Sequence, residues 1–146
     1  MYKTIVVPVD GSKQSRQALE TAIEMAKTFA ARLLTVCVYR HHSPLEASLS
    51  MVRQKPLERP DDAMKAYASE IAAEARDHAI RSGLGEARAY AKRGQPSRAI
   101  VEFASDHGAD LIVLGARGNG DIGGQLLGSV SHKVASLASV PCLIVR

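Results

Sequence analysis

Five short apolar runs alternate along this chain with stretches of helical periodicity, and that alternation restricts the available folds more than any other feature. The runs are Lys3–Val9, Leu33–Tyr39, Arg88–Lys92, Asp110–Gly115 and Pro141–Arg146. The first, second and fourth are nearly continuous in Val, Ile and Leu. Strands covered by helices on both faces have this pattern. The third, within "EARAYAK", is shorter and alternates, as an edge strand does.

The intervening helices each show an apolar face. In the first, Leu19, Ala22, Ile23, Ala26 and Ala30 recur at helical spacing, with Ser12 or Ser15 as N-cap. The second aligns Met64, Tyr67, Ala68, Ile71, Ala75 and Ala79 and stops at Gly83. The third begins at "QPS", with Pro96 pre-set for the first helical position. It turns Ile100, Val101 and Ala104 inward and ends at Gly108. The fourth begins at "GSV" and buries Val130, Val134, Leu137 and Ala138.

The resulting order is βαβαβαβαβ. Right-handed crossovers between sequential neighbours make it an α/β fold, a doubly wound open sheet of five parallel strands with helices on both faces. The expected strand order is 3-2-1-4-5. Ligands in such sheets sit outside the carboxyl ends of the strands, where the winding reverses. Here that point lies between strands 1 and 4, beside "VDGSK" and "GARGNGDIGG".

A chain of 146 residues suits a single domain, 1–146. One segment, Arg40–Pro60, is too long for an ordinary connection. It reads as an insertion, either a lid or partner surface or plain surface. No apolar run approaches the ~20 residues that span a bilayer, so membrane insertion is not expected. No charged-then-apolar leader precedes the first strand, and Cys37 and Cys142 sit in apolar runs as buried free thiols. These features point to the cytoplasm. The net charge of +4 favours acidic partners only weakly, because the basic residues are scattered rather than clustered. Nucleic acid is therefore an unlikely partner.

The stretch from Gly115 to Gly128 holds six glycines between a strand and a helix. Two familiar glycine motifs fail to account for it. Gly118 to Gly123 matches G-x-G-x-x-G, but more glycines intervene before the helix and no acidic residue ends the next strand. Gly123 to Gly128 matches the start of a P-loop, but Ser129 stands where the lysine belongs. What remains is G-x-x-G-x9-G-S, formed by Gly115, Gly118, Gly128 and Ser129. This places small residues at both ends of a loop that closes onto a helix N-terminus, where backbone N–H groups attract anions. Gly115 and Gly118 would let the backbone approach an anion or adopt positive φ. Ser129 and Ser131 add hydroxyl donors, and Arg117 adds charge. Asp10, across the switch point, can accept from ribose hydroxyls or bind a phosphate-bound metal. Each residue also has a plainer role open to it: Ser129 as an N-cap, Asp10 as a turn former, Arg117 as a solvated charge.

With these residues in view, the chain resembles the universal stress protein family over essentially its whole length. The resemblance rests on "KTIVVPVDGS", "ADLIVLGARG", the G-x-x-G-x9-G-S pattern and "VPCLIVR". It implies the branch of that family that binds ATP, with ADP or AMP as related ligands and Mg²⁺ or Mn²⁺ accompanying the nucleotide. By resemblance, Pro8, Val9 and Asp10 line the adenosine site and Val38 flanks adenine. Gly115, Arg117, Gly118, Gly128, Ser129 and Val130 hold ribose and phosphates. The resemblance also implies a homodimer through the C-terminal strand 141–146, or a higher oligomer. Three functions follow. One is an ATP-binding regulatory stress-response protein with no catalytic residue. The second is a slow ATPase or self-phosphorylating protein, with Gln125 or Asp121 orienting water. The third is a nucleotide-independent module that acts on another protein such as a transporter.

Overall fold

The computed structural model describes residues 1–40, 60–117 and 127–146. The insertion expected at 40–60 therefore lies outside the described residues except at its two ends, as do Gly118, Asp121 and Gln125. The element order is β1 (Thr4–Pro8), α1 (Lys13–Phe29), β2 (Arg32–Tyr39), α2 (Pro60–Arg81), β3 (Ala87–Arg93), α3 (Pro96–Asp106), β4 (Leu111–Gly115), α4 (Ser129–Leu137) and β5 (Cys142–Val145). All strand pairs are parallel and the sheet order is β3-β2-β1-β4-β5. This is the topology expected from the alternation, with the "EARAYAK" strand at one edge and the C-terminal strand at the other.

Side-chain alternation divides the apolar residues between two cores. Ile5, Val7, Leu33, Cys37, Leu111 and Val113 face α1 and α2. Val6, Leu34, Val36, Ile112 and Leu114 face α3 and α4. Adjacent strand residues point to opposite faces, so a strand covered on both sides is apolar at nearly every position.

The helix facing is where local periodicity misjudged single residues. On α2 the inward row is Ala68, Ala72, Ala75 and Ala79, and Tyr67 is 67% exposed. Small side chains let the helix lie close to the sheet. The Thr35 hydroxyl, on β2, donates to the Ala72 carbonyl of α2 at 2.8 Å. A tyrosine on that seam would hold the helix off. On α3, Phe103 is buried with Ile100 and Ala104, while Val101 is only half-buried. On α4, Val134 is buried and Leu137 is 55% exposed. The helix ends at Leu137, and Ala138 instead packs against the core.

Candidate functional site

The carboxyl ends of β1 and β4 part at the switch point, and a cleft of about 340 Å³ opens there. Its first wall is the turn from β1 into α1. The Val9 N–H donates to the Val36 carbonyl at 2.8 Å, which holds the chain in the sheet one residue past β1. Asp10 then turns the chain, its carboxylate accepting from the Ser12 N–H at 2.9 Å. Gly11 takes a φ of +82°, in the left-handed region that favours glycine. Ser12 is the N-cap, and its hydroxyl accepts from the Ser15 N–H at 3.1 Å. Ser15 in turn donates its hydroxyl to the Ser12 carbonyl. Of the two N-cap candidates, Ser12 takes the role and Ser15 braces it. Asp10 does form the turn, and its carboxylate also lines the cleft.

The second wall is the glycine loop, whose two ends are clasped together. The Ala116 carbonyl accepts from the Gly128 N–H at 2.6 Å and from the Ser131 hydroxyl at 2.7 Å. The Ala116 N–H donates to the Val145 carbonyl at 2.7 Å, tying this clasp to β5. Ser131 is thus buried and turned inward, and its hydroxyl serves the loop rather than a ligand. Gly115 lines the cleft but does not take the positive φ that is one of its two expected uses, and it has a packing role besides. A Cβ there would lie 3.0 Å from the carbonyl carbon and oxygen of Gln14. The glycine is needed because α1 packs directly on the end of β4.

Three helix N-termini stand near this cleft, and they differ in how their amides are used. The α1 terminus is capped by Ser12. The α3 terminus has Pro96 in its first turn, and the Gln95 side chain accepts from the Arg98 N–H at 3.0 Å. The α4 terminus has Gly128 as N-cap and no side-chain cap. Ser129 is therefore the first helical residue and not the cap, and it is exposed. The leading amides of α4 have no partner within the helix. They carry the positive end of its dipole.

Of the residues picked out from sequence, the cleft brings together Pro8, Val9, Asp10, Val38, Gly115, Arg117, Ser129 and Val130. Gly128 lies buried behind them as the α4 N-cap, and Gly118 falls outside the described residues. Sequence reasoning missed Val36, Pro96, Ile100 and Arg40, which form the end of the cleft beside β2 and α3. Only strand alternation signals two of them: Val36 and Arg40 share a face with Val38. Among the described residues no three His, Cys, Asp or Glu side chains cluster as a metal site.

Cys37 lies in the core beneath this turn. Burial, and then the Asp10 carboxylate, push its thiol from the ordinary 9.0 up to about 11. Below pH 9 the thiol is neutral in both states. From there to about 11 the unfolded chain ionises and the folded one does not. Stability is therefore lost as pH rises through that window, by an amount on the order of 2 kcal/mol. Denaturant melts of the wild type and Cys37→Ala at several alkaline pH values check this. The wild type should fall more steeply, and parallel curves would refute the burial effect.

A five-stranded doubly wound sheet with its cleft at the switch point, walled by an Asp-Gly turn and a clasped glycine loop, defines the α/β class that places its ligand sites at the carboxyl ends of the strands. The chain belongs to the universal stress protein family, whose model matches residues 1–146. It is 34% identical to "Universal stress protein YxiE" of Bacillus subtilis over 149 aligned positions, covering 100% of both chains. Among solved structures it is similar to universal stress protein UspA from Lactobacillus plantarum, with TM-score 0.81, 27% identity, and coverage of 99% of this chain and 98% of that one. It is also similar to a universal stress protein solved in complex with cAMP, with TM-score 0.72, 32% identity, and coverage of 99% and 97%. No helix among the described residues is long and apolar enough to cross a membrane.

Proposed function

We propose that this protein is an ATP-binding regulatory stress-response protein, with the nucleotide lying across the carboxyl ends of β1 and β4. One observation carries the reading: a single cleft is lined by apolar side chains and by the N-terminus of α4, which alone of the three has no side-chain cap among the described residues. The first suits a purine and the second suits phosphates. Asp10 lines the same cleft, where its carboxylate would meet a ribose. The relative solved with cAMP supports an adenine nucleotide as the ligand class. The further phosphates of ATP would meet Arg117, Ser129 and the α4 amides. A nucleotide-borne Mg²⁺ or Mn²⁺ fits this donor set. Such an ion is held by one or two carboxylates plus phosphates, and Asp10 supplies one carboxylate.

Titration with ATP and AMP in the presence of Mg²⁺ tests the reading. ATP should bind more tightly, by about tenfold or more if its outer phosphates gain one charge-assisted hydrogen bond. Equal affinities would remove the phosphates from the α4 terminus. Binding of neither would leave the protein a nucleotide-independent module.

The reading extends to a homodimer through the C-terminal strand. β5 pairs only with β4 and carries half-buried Leu143, Ile144 and Val145 at the sheet edge. An apolar edge of this kind is a liability unless a partner covers it. Light scattering at micromolar concentration should return twice the chain mass of 15.6 kDa. The single-chain mass would refute the dimer.

A further inference from the structure

The cleft lining differs in chemistry along its length, and Arg40 continues the row of the apolar Val36 and Val38 rather than lying on the glycine loop. We propose that Arg40 recognises the base: its guanidinium stacks on the open face of the purine and holds it against Val38 and Pro96. This rests on the nucleotide reading above.

Strand geometry sets the position. Val36 and Val38 point to the same face of β2, into the second core. Arg40 follows the last residue of the strand and continues that row, since strand side chains alternate with period two. The Tyr39 carbonyl accepts from the Gly94 N–H at 2.9 Å, which fixes the backbone where the row ends. All three side chains line the cleft, opposite Pro96 and Ile100 of α3.

A phosphate has little to bind here. Pro96 has no N–H, and the Gln95 side chain already accepts from the Arg98 N–H and, at 2.8 Å, from the Ser97 hydroxyl. The apolar end therefore suits a flat ring. Nucleotide sites commonly hold such a ring by stacking on an aromatic side chain, but none of the described residues lining the cleft is aromatic. The guanidinium is planar and weakly hydrated, and it stacks on bases where an aromatic is missing. Arg40 is exposed and takes part in no ion pair among the described residues, so a bound base can order it.

The test is a set of titrations with adenosine, AMP and ATP with Mg²⁺, on the wild type, Arg40→Ala, Arg40→Lys and Arg117→Ala. Arg40→Ala should weaken all three ligands by the same factor, roughly tenfold for one lost stack. Arg40→Lys should stay near the alanine variant, because an ammonium keeps the charge and lacks the plane. Arg117→Ala should cost ATP the most and adenosine the least. A loss at Arg40 that grows from adenosine to ATP would overturn the proposal and assign this residue to phosphates. Unchanged affinities, or full recovery by lysine, would overturn it too. A wild type that binds none of the three ligands refutes the nucleotide reading itself, and this inference falls with it.

Discussion

Phe103→Ala is expected to lower the free energy of unfolding by about 3–5 kcal/mol, the usual cost of emptying a buried aromatic site. Phe103 is one of only two phenylalanines in a chain with no tryptophan. It is 3% exposed and fills the space between α3 and the sheet. Its ring lies 5.0 Å from that of Tyr90 at 63°, an edge-on contact, and 4.0 Å from that of His107. The neighbours are a strand and the helix's own last turn, so the site cannot easily collapse onto the void. Domains of this size are stable by only about 5–15 kcal/mol, so the loss is a large fraction of the total. Urea melts check it, with an unchanged denaturant slope as evidence that the unfolded state is the same. A loss below about 1 kcal/mol would mean that the core refills the cavity. The effect should reach the site as well. Ile100 lies one turn before Phe103 on the same face of α3 and lines the cleft.

Gly115→Val should cost about 2–3 kcal/mol through overpacking, and should also weaken nucleotide binding. The added Cβ would press on the Gln14 backbone at 3.0 Å. A clash with a flexible side chain could relax by rotation, but this one is with the first turn of α1. That turn is braced by Ser12 and Ser15, and the same braces hold Asp10 in place. Displacing α1 therefore moves one wall of the cleft. Gly115→Ala should show a smaller loss of both properties. A valine variant with wild-type stability would mean that α1 can shift freely on the sheet. A destabilised variant with wild-type ATP affinity would separate the packing of β4 from the site.

Much of the architecture was legible because it depends on short-range chemistry. A strand covered on both faces must be mostly apolar, and β1, β2 and β4 are, apart from Thr4, Arg32 and Thr35. Helix ends are marked by residues with one physical reason to be there, as at Ser12, Pro96 and Gly83. The right-handed crossover rule narrowed the strand order to a few doubly wound arrangements, of which the expected one is found. The location of the cleft followed from the order, and most of the residues singled out in the sequence line it.

What stayed illegible concerns contacts between elements far apart in the chain. Tyr67 and Leu137 fall at helical spacing, but spacing tolerates a rotation of the helix about its axis. The neighbours decide that rotation, and the close seam at Thr35 and Ala72 selects alanines on α2. Gly115 opens the motif and lines the cleft, and only the approach of Gln14 reveals that it has a packing role as well. Ser131 looks like a free hydroxyl until the Ala116 carbonyl is found within reach.

By itself the sequence determined the layers, the strand order and the end of the sheet where the cleft opens, because hydrophobic period and turn chemistry act over a few residues. The tertiary structure decided which helix terminus has no side-chain cap, which glycine meets the backbone of another element and that Arg40 joins the cleft lining. Those depend on distances between segments up to a hundred residues apart, and no local pattern records them.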